Sequence, residues 1–138
     1  MGKNFYALGL MSGTSMDGID ASIISSNGID DFEIMQNKYY KYDDKFINKL
    51  SNLKNKIDKL DDFKSHFNDL KSIEKEITIL HAKFTNDILM KFKHKIDLVG
   101  FHGQTIYHNP DEKISKQLGD GKLLSQLIKK KVVYNFRE

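Results

Sequence analysis

The sequence predicts an α/β fold whose sheet begins with an antiparallel hairpin and continues as a meander. Two apolar runs, residues 5–10 and 19–24, flank a polar stretch containing Asp17 and Gly18, a pair that favours a tight hairpin turn. A third run, residues 32–42, alternates in the manner of a strand with one partly solvated face. Later apolar residues recur at helical spacing, which predicts parallel strands joined by helices.

Two helices are predicted after the meander. Asp43 or Asp44 caps the first, whose apolar residues recur at three- and four-residue intervals. Lys, Asp and Asn dominate residues 54–71, and this segment is predicted to be a mobile helical connection. The second helix covers residues 72–93, and residues 96–101 then form a short buried strand.

Composition excludes several classes of function. The 138 residues suffice for one modest domain, and the net charge of +3 calls for neither nucleic acid nor a membrane as partner. The chain has no cysteine, no signal-peptide pattern and no apolar run long enough to span a bilayer, so a cytoplasmic protein is expected. Tyr39, Tyr40 and Tyr42 could stack on bases, but aromatic residues are common in strands, and the nucleic-acid interpretation is disfavoured.

The turn between the first two strands carries more chemistry than a turn requires. Gly13 leaves the backbone accessible, and the stretch adds three hydroxyls and two carboxylates. Backbone N–H groups and hydroxyls suit a phosphate, and carboxylates suit the Mg²⁺ that accompanies it. An ordinary turn rich in such residues is the alternative, and neither a P-loop nor a GxGxxG pattern is present. The polar residues are Ser12, Thr14, Ser15, Asp17 and Asp20.

A second cluster of polar residues follows the strand predicted at residues 96–101. His102 suits a general base or a hydrogen-bond donor, and Gln104 and Asn109 suit sugar hydroxyls. Polar side chains at this place indicate a ligand site at the carboxyl edge of the sheet. A zinc site built on His102 and His108 is disfavoured, because their spacing is unusual and the chain lacks cysteine.

Three motifs resemble the anhydro-N-acetylmuramic acid kinase family. Residues 9–20 match its amino-terminal signature, G-[LV]-M-S-G-T-S-x-D-G-[IV]-D, at every position. Residues 100–110 match G-x-H-G-Q-T-[IV]-x-H-x-P, and residues 117–120 match the end of L-Q-[IL]-G-[DN], with Lys116 in place of an apolar residue. Family members usually read D-F-R near the end of this stretch, where this chain has Asn135.

This resemblance implies an RNase H-like half-lobe of the sugar kinase, Hsp70 and actin superfamily, with a mixed sheet flanked by helices. Residues 1–138 are expected to be a truncated amino-terminal lobe. The aspartate that acts as the family's general base lies beyond residue 138, so no catalytic residue is assigned within this chain. The loss of a charge at Asn135 is expected to weaken the site if the family's aspartate positions sugar or metal.

The family's reaction implies ATP and Mg²⁺ as cofactors. In that reaction water opens the 1,6-anhydro bridge of the sugar, and O6 takes the γ-phosphoryl group to give N-acetylmuramic acid 6-phosphate, a step of cell-wall recycling. Asp17 and Asp20 are assigned to Mg²⁺. The sugar is assigned to His102, Gln104, Thr105 and Arg137. The phosphates are assigned to Gly13, Thr14, Ser15, Met16, Asp17, Gly18, Ile19 and Asp20.

Two interpretations of the function stay open. The first is a sugar kinase that needs a complementing carboxyl-terminal chain, or a homodimer, to complete its site. The second is a non-catalytic remnant, or a module that only binds nucleotide or sugar. In either case the partners are a sugar and a nucleotide, without nucleic acid or membrane.

Overall fold

A computed structural model describes residues 4–136. These residues form a mixed sheet flanked by helices, which confirms the predicted α/β class. Within them no helix combines the length and the apolar character that crossing a bilayer requires. The elements are β1 (Phe5–Ser12), β2 (Gly18–Ser26), β3 (Phe32–Lys41), α1 (Asp44–Lys54), α2 (Asp62–Ser65), α3 (Phe67–Lys91), β4 (Leu98–Asn109), β5 (Ile114–Leu118), α4 (Gly121–Ile128) and β6 (Val132–Val133).

The strand order places the two predicted sites at one edge of the sheet. The order is β3-β2-β1-β4-β5, with β6 also paired to β4. β1, β2 and β3 pair antiparallel, which confirms the predicted hairpin and meander. β4 lies parallel to β1, because the intervening helices return the chain to the starting edge. The β1–β2 loop therefore lies beside the middle of β4, where Ser12 pairs with Gln104.

One face of the sheet supplies the hydrophobic core. Leu8, Leu10 and Ile19 point to this face and are at most 2 % exposed, because successive side chains of a strand alternate between faces. The helices cover them with residues such as Leu50 and Ile77, which are fully buried. Each such side chain stabilises the fold by about 1.5–3 kcal/mol, so the amphipathic pattern of the helices is what holds them on the sheet.

Capping side chains and buried residues determine where the helices begin. The Asp43 carboxylate accepts a hydrogen bond from Phe46 N at 2.7 Å, so Asp43 is the cap of α1. Residues 54–71 include the short helix α2 and the first turn of α3, and Ile57 and Leu70 within them are only 5 % exposed. The burial of Leu70 explains why α3 begins five residues before the predicted position. The mobility of residues 54–71 stays a prediction.

The prediction that the fourth strand ends near Phe101 is wrong. β4 continues to Asn109, because its second half pairs antiparallel with β5. The polar motif that starts at His102 therefore lies within a strand rather than in a loop beyond it. Strand alternation, and any interruption of it, decides which of these side chains can reach a ligand.

The second face of the sheet is open. A groove of about 770 Å³ crosses it, lined in part by Gly9, Met11, Asp20 and His102. Phe136, which is 53 % exposed, also lines the groove. The open face and the β1–β2 loop thus adjoin at the end of β1.

Candidate functional site

The loop between β1 and β2 is a tight turn whose hydroxyl side chains face solvent. Met16 N donates to Gly13 O at 3.3 Å, which closes the turn. Met16 has a φ of +55°, and its side chain, 8 % exposed, anchors the loop to the core. Thr14 and Ser15, between these two positions, are both exposed. The anchored turn therefore presents two hydroxyls and the adjoining backbone to any ligand at this edge.

Asp17 is held as an exposed carboxylate at the end of the loop. Ser15 Oγ donates to Asp17 Oδ1 at 2.9 Å. This hydrogen bond, followed by one from Tyr39, lowers the pKa of Asp17, because both stabilise the ionised form. Tyr42 N donates to Asp17 O at 2.9 Å and fixes its backbone. Asp17 therefore keeps its charge to a lower pH than an ordinary aspartate does.

Asp20 lies on β2, directly after the buried Ile19, and lines the open groove. It pairs with Met11 on β1 and with Tyr39 on β3. The pKa of Tyr39 is raised, first by partial burial and then by Asp17 and Asp20. Both predicted carboxylates therefore act on one tyrosine, which lies between the loop and the groove.

Two glycines of this segment have opposite surroundings. A Cβ at Gly13 would meet no atom within 4 Å, so that side of the loop is open. A Cβ at Gly18 would collide with the Tyr40 carbonyl oxygen and would lie 2.6 Å from the Tyr39 hydroxyl oxygen. Gly18 is therefore required by the packing of β2 against β3, whereas Gly13 leaves room that the chain itself does not use.

A buried polar network lies directly beneath the loop. Ser12, Tyr42, His81 and Gln104 come from four different elements or connections, and all are at most 1 % exposed. Ser12 Oγ lies 3.1 Å from Tyr42 Oη and 3.4 Å from His81 Nε2. Tyr42 Oη donates to Gln104 Oε1 at 3.1 Å. These four polar side chains thus form one connected cluster in the buried core, where polar groups need hydrogen-bond partners.

The histidine of this network is held neutral. His81 Nδ1 lies 2.8 Å from Ile77 O, which only accepts hydrogen bonds, so Nδ1 carries the proton and Nε2 accepts from Ser12. Burial lowers the pKa of His81 to about 4, because no counter-charge compensates the loss of water. Burial likewise raises the pKa of Tyr42 to about 12, so its hydroxyl stays a donor.

His102 and Gln104 lie on opposite faces of the sheet. Residues two apart in a regular strand share a face, but β4 has a bulge between its pairings with Leu10 and Ser12. Gly103, with a φ of +85°, supplies the extra residue. The bulge leaves His102 lining the groove and turns Gln104 into the core.

The comparisons with known proteins agree on one family. A sequence model described as anhydro-N-acetylmuramic acid kinase matches residues 5–138. This chain belongs to the anhydro-N-acetylmuramic acid kinase family. The kinase of Pelagibacter ubique is 51 % identical over 138 residues, covering the whole of this chain. The kinases of Rhizobium etli and Brucella canis are 38 % and 37 % identical, and each match covers 95 % of this chain.

This chain spans only about 36–37 % of the length of these relatives. The match confirms the resemblance drawn from the three motifs and the sugar-kinase type of fold. The relatives are similar to this chain in their amino-terminal part, so the chemistry of the whole relatives does not transfer to it directly.

The donor groups at the loop fit a magnesium ion that is shared with a phosphate. Among residues 4–136 no group of three or more His, Asp or Glu side chains lies close enough to hold a metal ion alone. Mg²⁺ usually keeps several waters and takes one or two carboxylates together with substrate phosphates. Asp17 is exposed and Asp20 lines the groove, so two carboxylates are available at this edge, and their assignment to Mg²⁺ stays a prediction.

The residues assigned to the sugar lie in different surroundings. His102 is half-buried and lines the groove, whereas Gln104 is fully buried and Thr105 is 6 % exposed. Arg137 lies outside the described residues. Asn135 adopts a φ of +62° and lines, with His102, a small cavity of about 90 Å³. All four sugar assignments stay predictions, and the groove favours His102 among the three described.

Sequence reasoning missed the contributions of Tyr39, Tyr42 and His81. Sequence pattern alone indicates that the two tyrosines are ordinary strand residues, and it gives His81 no partner. Their partners lie far away along the chain: Ser12 is 30 residues from Tyr42 and 69 from His81. The one local signal was a histidine among apolar residues of α3, which predicts burial but not a partner.

Proposed function

We propose that the loop from Gly13 to Asp20 binds the phosphates of ATP. The observation that carries this proposal is the loop itself. It exposes Thr14 and Ser15, keeps Asp17 ionised and leaves open space at Gly13, all at the end of the groove that holds His102. Exposed N–H groups and hydroxyls recognise phosphate oxygens, and an ionised carboxylate recognises the accompanying cation. The side chains of Met16 and Ile19 are core residues and Met16 N closes the turn, so these two residues shape the loop rather than contact the phosphates.

The proposed reaction is the one that gives the family its name. Water attacks the anomeric carbon of anhydro-N-acetylmuramic acid, the 1,6-anhydro bond breaks, and O6 takes the γ-phosphoryl group of ATP, leaving ADP. Mg²⁺, when bound, neutralises phosphate charge during the transfer. In this chain the loop orients the phosphates, Asp17 and Asp20 face the cation, and His102 faces the sugar. The cytoplasm, as the source of ATP, and a role in cell-wall recycling belong to the same proposal.

This chain requires further protein to complete the proposed active site. It corresponds to about 37 % of the length of its relative from Pelagibacter ubique. The open groove of about 770 Å³ also leaves one face of the sheet without cover. The missing part comes from additional residues of a longer chain, from a complementing chain, or from a second copy. Exclusion of water from the sugar depends on that closure.

The test is calorimetric titration of the purified chain with Mg-ATP, with ATP in excess EDTA as the comparison. Saturable binding that requires Mg²⁺ is the expected result. The absence of binding by a chain that circular dichroism shows to be folded would overturn the ATP site. That result would favour the second candidate, a non-catalytic remnant whose motifs record only its ancestry.

Asp17→Asn is expected to weaken Mg-ATP binding at neutral pH by roughly tenfold or more, the effect of losing one charge-assisted contact. The carboxylate is exposed, so the fold is expected to persist. Because the pKa of Asp17 is lowered, binding to the parent chain should continue to pH values at which an ordinary aspartate is already partly protonated.

The matched control is Asp87→Asn. Asp87 is an exposed aspartate on α3 whose carboxylate pairs with Lys91 at 3.2 Å, on the helix and not on the loop. This change removes the same charge and should leave the affinity unaltered. Equal affinities of the Asp17→Asn protein and the parent chain would show that the carboxylate only shapes the turn.

A further inference from the structure

Gln104 is a buried amide that the proposed mechanism does not use. Its side chain is fully buried. Gln104 Nε2 donates to Gly13 O at 2.7 Å and to Thr105 O at 3.1 Å, and Oε1 accepts from the Tyr42 hydroxyl at 3.1 Å. Both ends of the amide are therefore occupied by protein partners.

The bond to Gly13 joins two segments that are 91 residues apart. Gly13 O also accepts the hydrogen bond from Met16 N that closes the turn, so this one carbonyl is an anchor both for the loop and for the core beneath it. The bulge at Gly103 makes the contact possible, because it turns Gln104 away from the face of His102.

Holding this carbonyl has a direct effect on the next N–H group. The peptide unit is planar and trans, so the C=O of Gly13 and the N–H of Thr14 point in opposite directions. With the oxygen drawn inwards by Gln104, the Thr14 N–H must point away from the core. That direction is where Thr14 and Ser15 are exposed and where Gly13 has open space.

We propose that Gln104 is a positioning residue that fixes the Gly13–Thr14 peptide so that the Thr14 N–H faces a bound phosphate. The proposal rests on the proposed phosphate role of the loop. Gln104 touches neither sugar nor nucleotide in this arrangement, and it acts through the backbone of Gly13. It thereby replaces direct sugar recognition as the role of the buried amide.

Two carbonyl oxygens and the Tyr42 hydroxyl determine which end of the amide faces the loop. The Tyr42 hydroxyl donates to Gln104, and only the oxygen of an amide can accept, so the nitrogen is left for Gly13. Ser12 and His81 complete the chain of hydrogen bonds behind Tyr42. The amide has one orientation, because a flipped amide would set its oxygen against the carbonyl oxygens of Gly13 and Thr105, which cannot donate.

The principal test compares Gln104→Met with Gln117→Met. Methionine has a similar length without the amide, and Gln117 is a half-buried glutamine on neighbouring β5 whose amide bonds to Ser115. Amide hydrogen exchange measured by NMR at Met16 reports opening of the turn, and exchange at Ala21 in β2 reports opening of the sheet. Affinity for Mg-ATP is measured by calorimetry on the same samples.

Gln104→Met is expected to accelerate exchange at Met16 relative to Ala21 by about tenfold, the factor for one lost buried hydrogen bond, and to weaken Mg-ATP binding to a similar extent. Gln117→Met should alter neither quantity. Unchanged relative exchange at Met16, or full Mg-ATP affinity in Gln104→Met, would overturn the proposal, since a purely structural residue would lower the stability of the whole sheet instead.

Tyr42→Phe keeps the inference testable if Gln104→Met does not fold. This change keeps the aromatic packing against Phe46, whose ring centroid lies 4.9 Å away, and keeps the amide, but it removes the hydrogen bond that holds the amide oxygen. Faster exchange at Met16 supports positioning, and unchanged exchange contradicts it. If the parent chain binds no Mg-ATP, the phosphate role alone fails, and the exchange measurement still decides whether Gln104 positions the loop.

Discussion

Gly18→Ala is expected to lower the free energy of unfolding by about 3 kcal/mol, a large share of the stability of a domain of this size. The added methyl group would collide with the Tyr40 carbonyl oxygen, which belongs to the backbone of β3 and cannot rotate away. It would also lie 2.6 Å from the Tyr39 hydroxyl oxygen. β2 and β3 must separate locally to accept it, which removes pairing beside the loop.

Urea denaturation followed by circular dichroism measures this loss, with Gly13→Ala as the matched control. Gly13 lies in the same segment, but a methyl group there meets nothing within 4 Å, so stability should change by less than about 0.5 kcal/mol. The folded Gly13→Ala protein should nevertheless bind Mg-ATP more weakly than the parent chain, because its methyl group occupies the open side of the loop. Equal stabilities of the two variants would contradict the packing argument.

The second large effect is an acid-dependent loss of stability caused by His81. Its pKa is lowered from 6.5 to about 4 in the folded chain, chiefly by burial. Between these values the unfolded chain binds a proton at this histidine and the folded chain does not, so stability falls as the pH falls through this interval. A shift of this size corresponds to about 3 kcal/mol, lost at a rate approaching about 1.4 kcal/mol per pH unit.

Unfolding free energies from urea titrations at several pH values between about 4.5 and 8 measure this slope. The His81→Leu protein should show a shallower dependence than the parent chain. Its stability at neutral pH should be lower, because Ser12 loses an acceptor, so the two curves approach each other in acid. His108→Leu, the same change at an exposed position on β4, should keep the slope of the parent chain. Parallel curves for the parent and His81→Leu proteins would contradict a buried neutral histidine.

Local patterns in the sequence were sufficient for the first three strands, the cap of the first helix and the loop. The apolar runs around Asp17 and Gly18 predicted the hairpin, and alternation in residues 32–42 predicted the third strand, because the two-residue period of a strand is visible within a few positions. Asp43 or Asp44 was predicted as a cap from its position before an apolar stripe, and the structure identifies Asp43. The family, too, could be predicted, since contiguous motifs carry it.

The tertiary structure alone decided which polar residues work together. One extra residue at Gly103 sends His102 and Gln104 to opposite faces, a result that regular alternation predicts wrongly because the positive φ of a glycine bulge leaves little local signal. The hydrogen bonds among Ser12, Tyr42, His81 and Gln104 join positions 30 to 69 residues apart. The sequence by itself determined the hairpin, the third strand, the capped first helix, the loop and the family. Only the folded sheet, by bringing distant segments into contact in a water-free core, determined what holds that loop in place.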